Sequence, residues 1–125
     1  MNRDEFVKSY YEVIKRALAF CEKARREGLL ALEEEADEAK VNNRDVFEYG
    51  MRFVIDGIDR EMIEKILSNI IAQEKNEHWR VLKNIQMEAV LAIQAGVNPR
   101  LLASLLNSYT DIPLNDEGQR EILKD

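Results

Sequence analysis

A single cysteine, Cys21, means that no disulfide can close within this chain. Only two prolines and five glycines interrupt 125 residues, so there are few places where a helix must stop. One histidine, His78, leaves little material for metal binding or acid–base chemistry. No stretch approaches the roughly 18–20 apolar residues that a membrane-spanning helix needs. The beginning, "MNRDEFVKSYYEV", lacks the apolar centre of a secretory signal. Basic residues are outnumbered, 18 against 24 acidic, for a net charge of −6. That balance opposes general nucleic-acid binding, which needs cationic stripes to displace counterions. It also opposes adhesion by charge to an anionic membrane surface. The expectation is a protein of a reducing cytoplasm with no direct membrane insertion.

What is present points to helices. Apolar residues make up 46% of the chain and charged residues 34%. The length suits one domain with a modest core. Phe6, Tyr10, Val13, Ala17, Phe20 and Ala24 recur at helical spacing, widened by Tyr11, Ile14, Leu18 and Cys21, which predicts a helix over about 4–27. Gly28 ends or bends it. "LLALEEEADEA" continues as a short helix, "KVNN" reads as a loop, and Asn43 is a candidate cap. "RDVFEYGMRFVID" is read as a helix, although its β-branched content also suits a strand. Gly57 stops it, Asp59 caps the next helix, and Ile63, Ile66, Leu67, Ile70 and Ile71 form that helix's apolar face. Through "QEKNEHWR" the helix either runs on to Ala95 or breaks near Asn76. Gly96 ends it, and "VNPR" opens the last sizeable helix, with Asn98 as cap and Pro99 at its first position. "NDEGQREILKD" is expected to add a terminal helical turn. The expected fold is all-α: a compact bundle of about four to six helices, one of them long and central.

The chemical inventory is thin. Cys21 lies in the apolar stripe of the first helix and reads as a small buried hydrophobe, with a Cys21–His78 nucleophilic pair as the far weaker alternative. Glu74 and His78, four residues apart, would share a helix face as metal ligands do, but two ligands make no site. There is no GxSxG, HExxH, CxxC or phosphate-binding glycine loop. No cofactor and no enzymatic activity are expected. Trp79 reads as an anchor, in the core first and otherwise at an interface.

The stretch "ARREGLLALEEE" separates charge sharply. Arg25 and Arg26 precede Gly28, and Glu33, Glu34 and Glu35 follow the apolar run. The plain reading is helix-end electrostatics. The functional reading is a bipolar contact strip made of Arg25, Arg26, Glu33 and Glu34. Complementary charges of that kind set register and on-rate without tight binding.

"KARREGLLALEEE" followed by "FEYGMRFVIDGIDREMIEKIL" resembles the large cytoplasmic loop of MotA, the ion-channel subunit of the bacterial flagellar stator. Ala24, Arg25, Gly28, Leu32 and Glu33 match that family's A-R-x-x-G-x-x-x-L-E pattern, and Asp56 and Gly57 its later D-G. "AVLAIQAGVNPRLLASLLNSY" is similar to the MotA cytoplasmic tail, with Asn98, Pro99 and Arg100 carrying the match. Both motifs stand in the family's order and together cover about residues 17–109. The resemblance implies one domain with a loop-like part at 1–78, a tail-like part at 79–112 and a terminal extension at 113–125. The family's four membrane helices have no counterpart here, so ion conduction by this chain alone is not expected. An independent relative and an excised loop joined to its tail both remain open. The resemblance further implies binding to the rotor protein FliG or to stator components at the cytoplasmic face of the motor, through Arg25 and Glu33. Where many members keep acidic residues, positions 70–72 read Ile, Ile and Ala, a face expected to pack on the tail helix or on another subunit. A homo-oligomer is a further expectation. The alternative is an interaction module or scaffold of a related TolQ/ExbB-type system, its charge strip no more than solvated surface.

Overall fold

The computed structural model describes residues 1–38 and 45–113. Among them there are six α-helices and no strand: α1 (Arg3–Glu27), α2 (Glu33–Glu38), α3 (Val46–Ile55), α4 (Arg60–Ala72), α5 (Glu77–Ala95) and α6 (Pro99–Asn107). A 3-10 turn, Leu29–Leu32, joins α1 to α2. The all-α bundle expected from the spacing is the one that forms.

Local chemistry explains where the helices begin. Asn2, Asp45, Asp59, Asn76 and Asn98 each precede a helix, and each side chain accepts a hydrogen bond from the N–H three residues on. These contacts satisfy donors that a helix start otherwise leaves open. Asp59 and Asn98 perform the capping role expected of them. Asn43 and "KVNN" lie outside the described residues, as does the expected terminal turn, and α3 is capped by Asp45 instead. The open question around residues 73–83 resolves as a break, because Asn76 caps a new helix at Glu77. That break overturns the shared face expected for Glu74 and His78. Glu74 precedes α5, and its carboxylate takes Lys83 Nζ at 2.7 Å and the Asn76 N–H at 3.0 Å.

Burial organises the helices around α5. Its residues Ile85, Gln86, Met87, Ala89, Val90, Leu91, Ala92 and Ile93 are all buried, so it is covered on almost every side. A helix that is apolar nearly all round belongs at the centre of a bundle. It is the expected central helix, although α1 is the longest, at 25 residues. α1, α3, α4 and α6 all pack on it. α1 runs parallel to α5. Phe6 meets the His78 ring at 5.1 Å near the start of both helices, and Cys21 Sγ contacts the Val97 carbonyl at 3.2 Å near their ends. α6 turns back antiparallel to α1, with Tyr10 OH donating to Asn107 Oδ1 at 2.6 Å and Arg3 pairing with Asp111 at 3.1 Å.

Two contacts fix α3. Gly50 faces α5 so closely that an added Cβ would lie 2.8 Å from Val90 Cγ2 and 2.9 Å from Val90 Cγ1. The absence of a side chain there is what lets the two helix backbones approach. Arg16 of α1 reaches the start of α3, with Nη2 3.0 Å from Asp45 Oδ1 and Nη1 3.3 Å from Glu48 Oε1. Its guanidinium also lies 4.7 Å from the centre of the Phe47 ring. Burial, and then the neighbouring Asp45, push the Glu48 carboxyl up, and Arg16 opposes that shift.

Contrary to the expectation for it, Trp79 does not anchor the core: it lies on the first turn of α5 and is 40% exposed.

Gly50→Ala is expected to lower stability by about 1–2 kcal/mol in a denaturant titration, since overpacking against branched Val90 outweighs alanine's helix propensity. A second expectation concerns alkaline pH. Burial pushes the Tyr10 hydroxyl up to about 12. The folded state therefore holds its proton above pH about 10, where the unfolded chain releases it. The contribution of Tyr10 to stability should be intact below that pH and be lost as pH rises towards 12. Tyr10→Phe should flatten the fall in urea midpoints measured across this range. Tyr109 and Cys21, shifted the same way chiefly by burial, and Lys23, shifted by its bond to Glu35, keep a residual slope.

Candidate functional site

The charge strip is built on a corner. α1 ends at Gly28, whose φ of 91° takes the chain out of the helix while its N–H still bonds the Ala24 carbonyl at 2.8 Å. Few residues other than glycine adopt that φ without strain. The 3-10 turn follows, held by Ala31 N–H to Gly28 O at 3.2 Å. Leu32 is wholly buried beneath the turn and Leu29 is half-buried, whereas Leu30 is 72% exposed. α2 then starts with Glu33, Glu34 and Glu35. Arg25 and Arg26 thus occupy the last turn of α1, and three carboxylates the first turn of α2. Each group offsets the partial charge of the helix end that carries it. That locally favourable placement is why so sharp a separation of charge is stable here.

The four expected site residues, Arg25, Arg26, Glu33 and Glu34, are all exposed, but they do not form one ionic network. Arg25 Nη1 donates to the Gly96 carbonyl at 2.8 Å, at the carboxyl end of α5. A cation suits that end of the helix dipole. With the Cys21–Val97 contact beside it, this bond straps the end of α1 to the α5–α6 bend. Arg26 stands 3.5 Å from its neighbour Glu27, both well exposed. Among the described residues, neither Glu33 nor Glu34 closes an ion pair with a cation.

The ionic contact that spans the corner joins two other residues, Lys23 and Glu35. The hydrogen bond between them raises the Lys23 ammonium and lowers the Glu35 carboxyl from their ordinary ranges. Both shifts favour the charged pair. Glu35 was visible as one of three consecutive glutamates, but nothing in the sequence singled it out as the clamp. It pairs with a residue 12 positions away across a break in the helix, and helical periodicity carries no signal across such a break.

The chemical candidates separate. Cys21 is 1% exposed, its thiol is pushed up chiefly by burial, and its Sγ is engaged by Val97, as the reading of a small buried hydrophobe requires. His78 packs on Phe6, which lies fifteen residues before Cys21 on α1, about 22 Å along the helix. His78 Nδ1 lies 2.9 Å from the Met1 carbonyl oxygen. A Cys21–His78 pair is therefore ruled out by distance. Among the described residues, no group of three or more His, Cys, Asp or Glu side chains converges. A surface groove of about 440 Å³ is lined by a single helix face, from Asp4 to Lys15 of α1. Ile71 is buried, Ile70 is half-buried against the core, and α4 packs on α3 and α5.

Over 81 residues the chain is 38% identical to motility protein A of Treponema phagedenis, an alignment covering 65% of this chain and 30% of that protein. Over 101 residues it is 39% identical to motility protein A of Borreliella burgdorferi, covering 79% and 38% respectively. Motility protein A of Treponema pallidum is 36% identical over 75 residues, covering 58% and 28%. The chain resembles part of motility protein A. It spans about a third of the length of these relatives. No protein-family model and no solved structure matches it. Among the described residues, no helix is long and apolar enough to cross a membrane.

The two arginines are expected to behave differently. Arg25→Ala should lower stability by about 0.5–1.5 kcal/mol, the usual worth of one hydrogen bond, because the Gly96 carbonyl loses its donor. Arg26→Ala should stay within about 0.5 kcal/mol of the parent, as exposed substitutions usually do. Thermal melts of both variants check this.

Proposed function

We propose that this chain is a MotA-cytoplasmic-domain-like component of the flagellar motor. In this reading it docks through its charged helical corner onto the rotor protein FliG, or onto stator components, and performs no catalysis. It works at the cytoplasmic face of the motor. Residues 1–78 act as the loop-like part, 79–112 as the tail-like part and 113–125 as an extension. Self-association through a further surface is part of the proposal.

The observation that supports this most is the exposure of Arg26, Glu33 and Glu34 on a rigid corner, with opposite charges on either side of an apolar turn. The similarity to motility protein A supports the assignment to the motor. Exposed charges contribute little affinity but fix approach and register, and a contact that must engage and release repeatedly needs that combination. Arg25 serves the same surface from behind, by holding the corner to the α5–α6 bend.

The second reading is a helical interaction module of a TolQ/ExbB-type system. It draws on the fact that each charged group already offsets its own helix end, which suffices to explain the charges without a partner.

A pull-down with the C-terminal domain of FliG separates the two readings. Arg26→Glu and the double variant Glu33→Lys/Glu34→Lys are each expected to weaken capture severalfold at low salt, with circular dichroism unchanged. Arg25→Glu is a poorer probe because it also breaks the strap to Gly96. Capture of both charge variants at the parent's level would favour the second reading.

A further inference from the structure

We infer that Leu30 is the apolar anchor of this docking corner. Its partner is an apolar socket flanked by a carboxylate where Arg26 approaches and by a cation where Glu33 and Glu34 approach. The inference rests on the reading of the corner as a docking surface. At 72%, Leu30 is the most exposed large apolar side chain among the described residues. A lone exposed leucine is ordinary on a protein surface, and it is the mounting of this one that gives it meaning. Gly28 turns the chain before it, Leu32 is wholly buried after it, and the Lys23–Glu35 ion pair closes the base of the corner. The side chain is carried by a short hydrogen-bonded turn, not by an open loop, so little backbone freedom remains to be lost when it is covered.

The surroundings indicate the chemistry of the partner. Leu30 stands between Arg25 and Arg26, which precede it in sequence, and Glu33 and Glu34, which follow, all four of them exposed. An apolar centre within a charged rim is the usual anatomy of a specific interface: the centre supplies affinity, while the rim sets orientation and excludes water. Covering one leucine adds about ten- to a hundredfold in affinity, enough to be selective and little enough to release. With its side chain 72% exposed, Leu30 stands out from the turn, so a surface that covers it has to be recessed. Two copies related by a two-fold axis would match charge, but they would press one projecting leucine against another. A socket between helices of a different protein fits better.

The test uses the intact chain and the C-terminal domain of FliG as probe, with affinities measured across a range of salt. Leu30→Ala should weaken binding about tenfold or more and leave the salt dependence parallel to the parent's, since no charge is lost. Leu30→Asp should weaken it further. Glu33→Lys/Glu34→Lys should instead change the slope with salt. Val81→Asp, a control on α5 about 22 Å from the Gly96 end, should bind like the parent. Sedimentation should show that Leu30→Asp does not change the association state of the free chain. Parent-like binding by Leu30→Ala, alongside weakened binding by the charge variants, overturns the anchor and leaves the docking reading intact. No binding by the parent, or no effect of the charge variants, defeats both. A dimeric parent that Leu30→Asp renders monomeric identifies the occupant as a second copy and overturns the proposed partner.

Discussion

Between Ile85 and Ile93 the central helix α5 is buried on almost every side, and the placement of α1, α3, α4 and α6 follows from covering it. Most of that burial is apolar and non-directional. The closest approach is specific: α3 can lie where it does because Gly50 presents no side chain to Val90. The scaffold is therefore rigid where its helices meet and free to vary on its outer faces. Its distinctive chemistry is at one end, where α1 stops and α5 turns into α6.

At that end the molecule converts local helix electrostatics into a fixed surface. The macrodipoles favour cations on the last turn of α1 and carboxylates on the first turn of α2. Left there, the arrangement would be two charged ends joined by a hinge. Three contacts turn the hinge into a corner: Arg25 to the Gly96 carbonyl, Cys21 to the Val97 carbonyl, and Lys23 to Glu35. Arg25 and Cys21 hold the corner to the bundle, and Lys23 sets the angle between α1 and α2. Arg26, Glu33, Glu34 and Leu30 are left facing water in a defined order. Neighbouring residues of similar charge thus carry different duties, as Arg25 and Arg26 illustrate.

Much of this was legible in the residues themselves. Helix starts are written locally, in Asn and Asp caps, and the stops at Gly28 and Gly96 in residues that accept positive φ. The strip was legible too, because it is contiguous. The ties between distant segments were not. Arg16 to Asp45, Lys23 to Glu35 and Arg25 to Gly96 join residues 29, 12 and 71 positions apart, and no periodic pattern links the members of such pairs. The break at Asn76 lay between two readings because "QEKNEH" has no apolar residue whose spacing could decide it. Trp79 falls outside the core for a related reason: once Asn76 starts a new helix, position 79 lies on the first turn, beyond the buried stretch.

The placement of that tryptophan has a practical side. It is the only indole in the chain, partly open to solvent, at the end of α5 remote from the charged corner. Its emission is thus a native optical reporter for a region that a ligand seated at the corner would not touch. Any change in its colour or quenching when such a ligand is added would signify a disturbance carried along the central helix, and silence would signify a body that docks as one stiff piece.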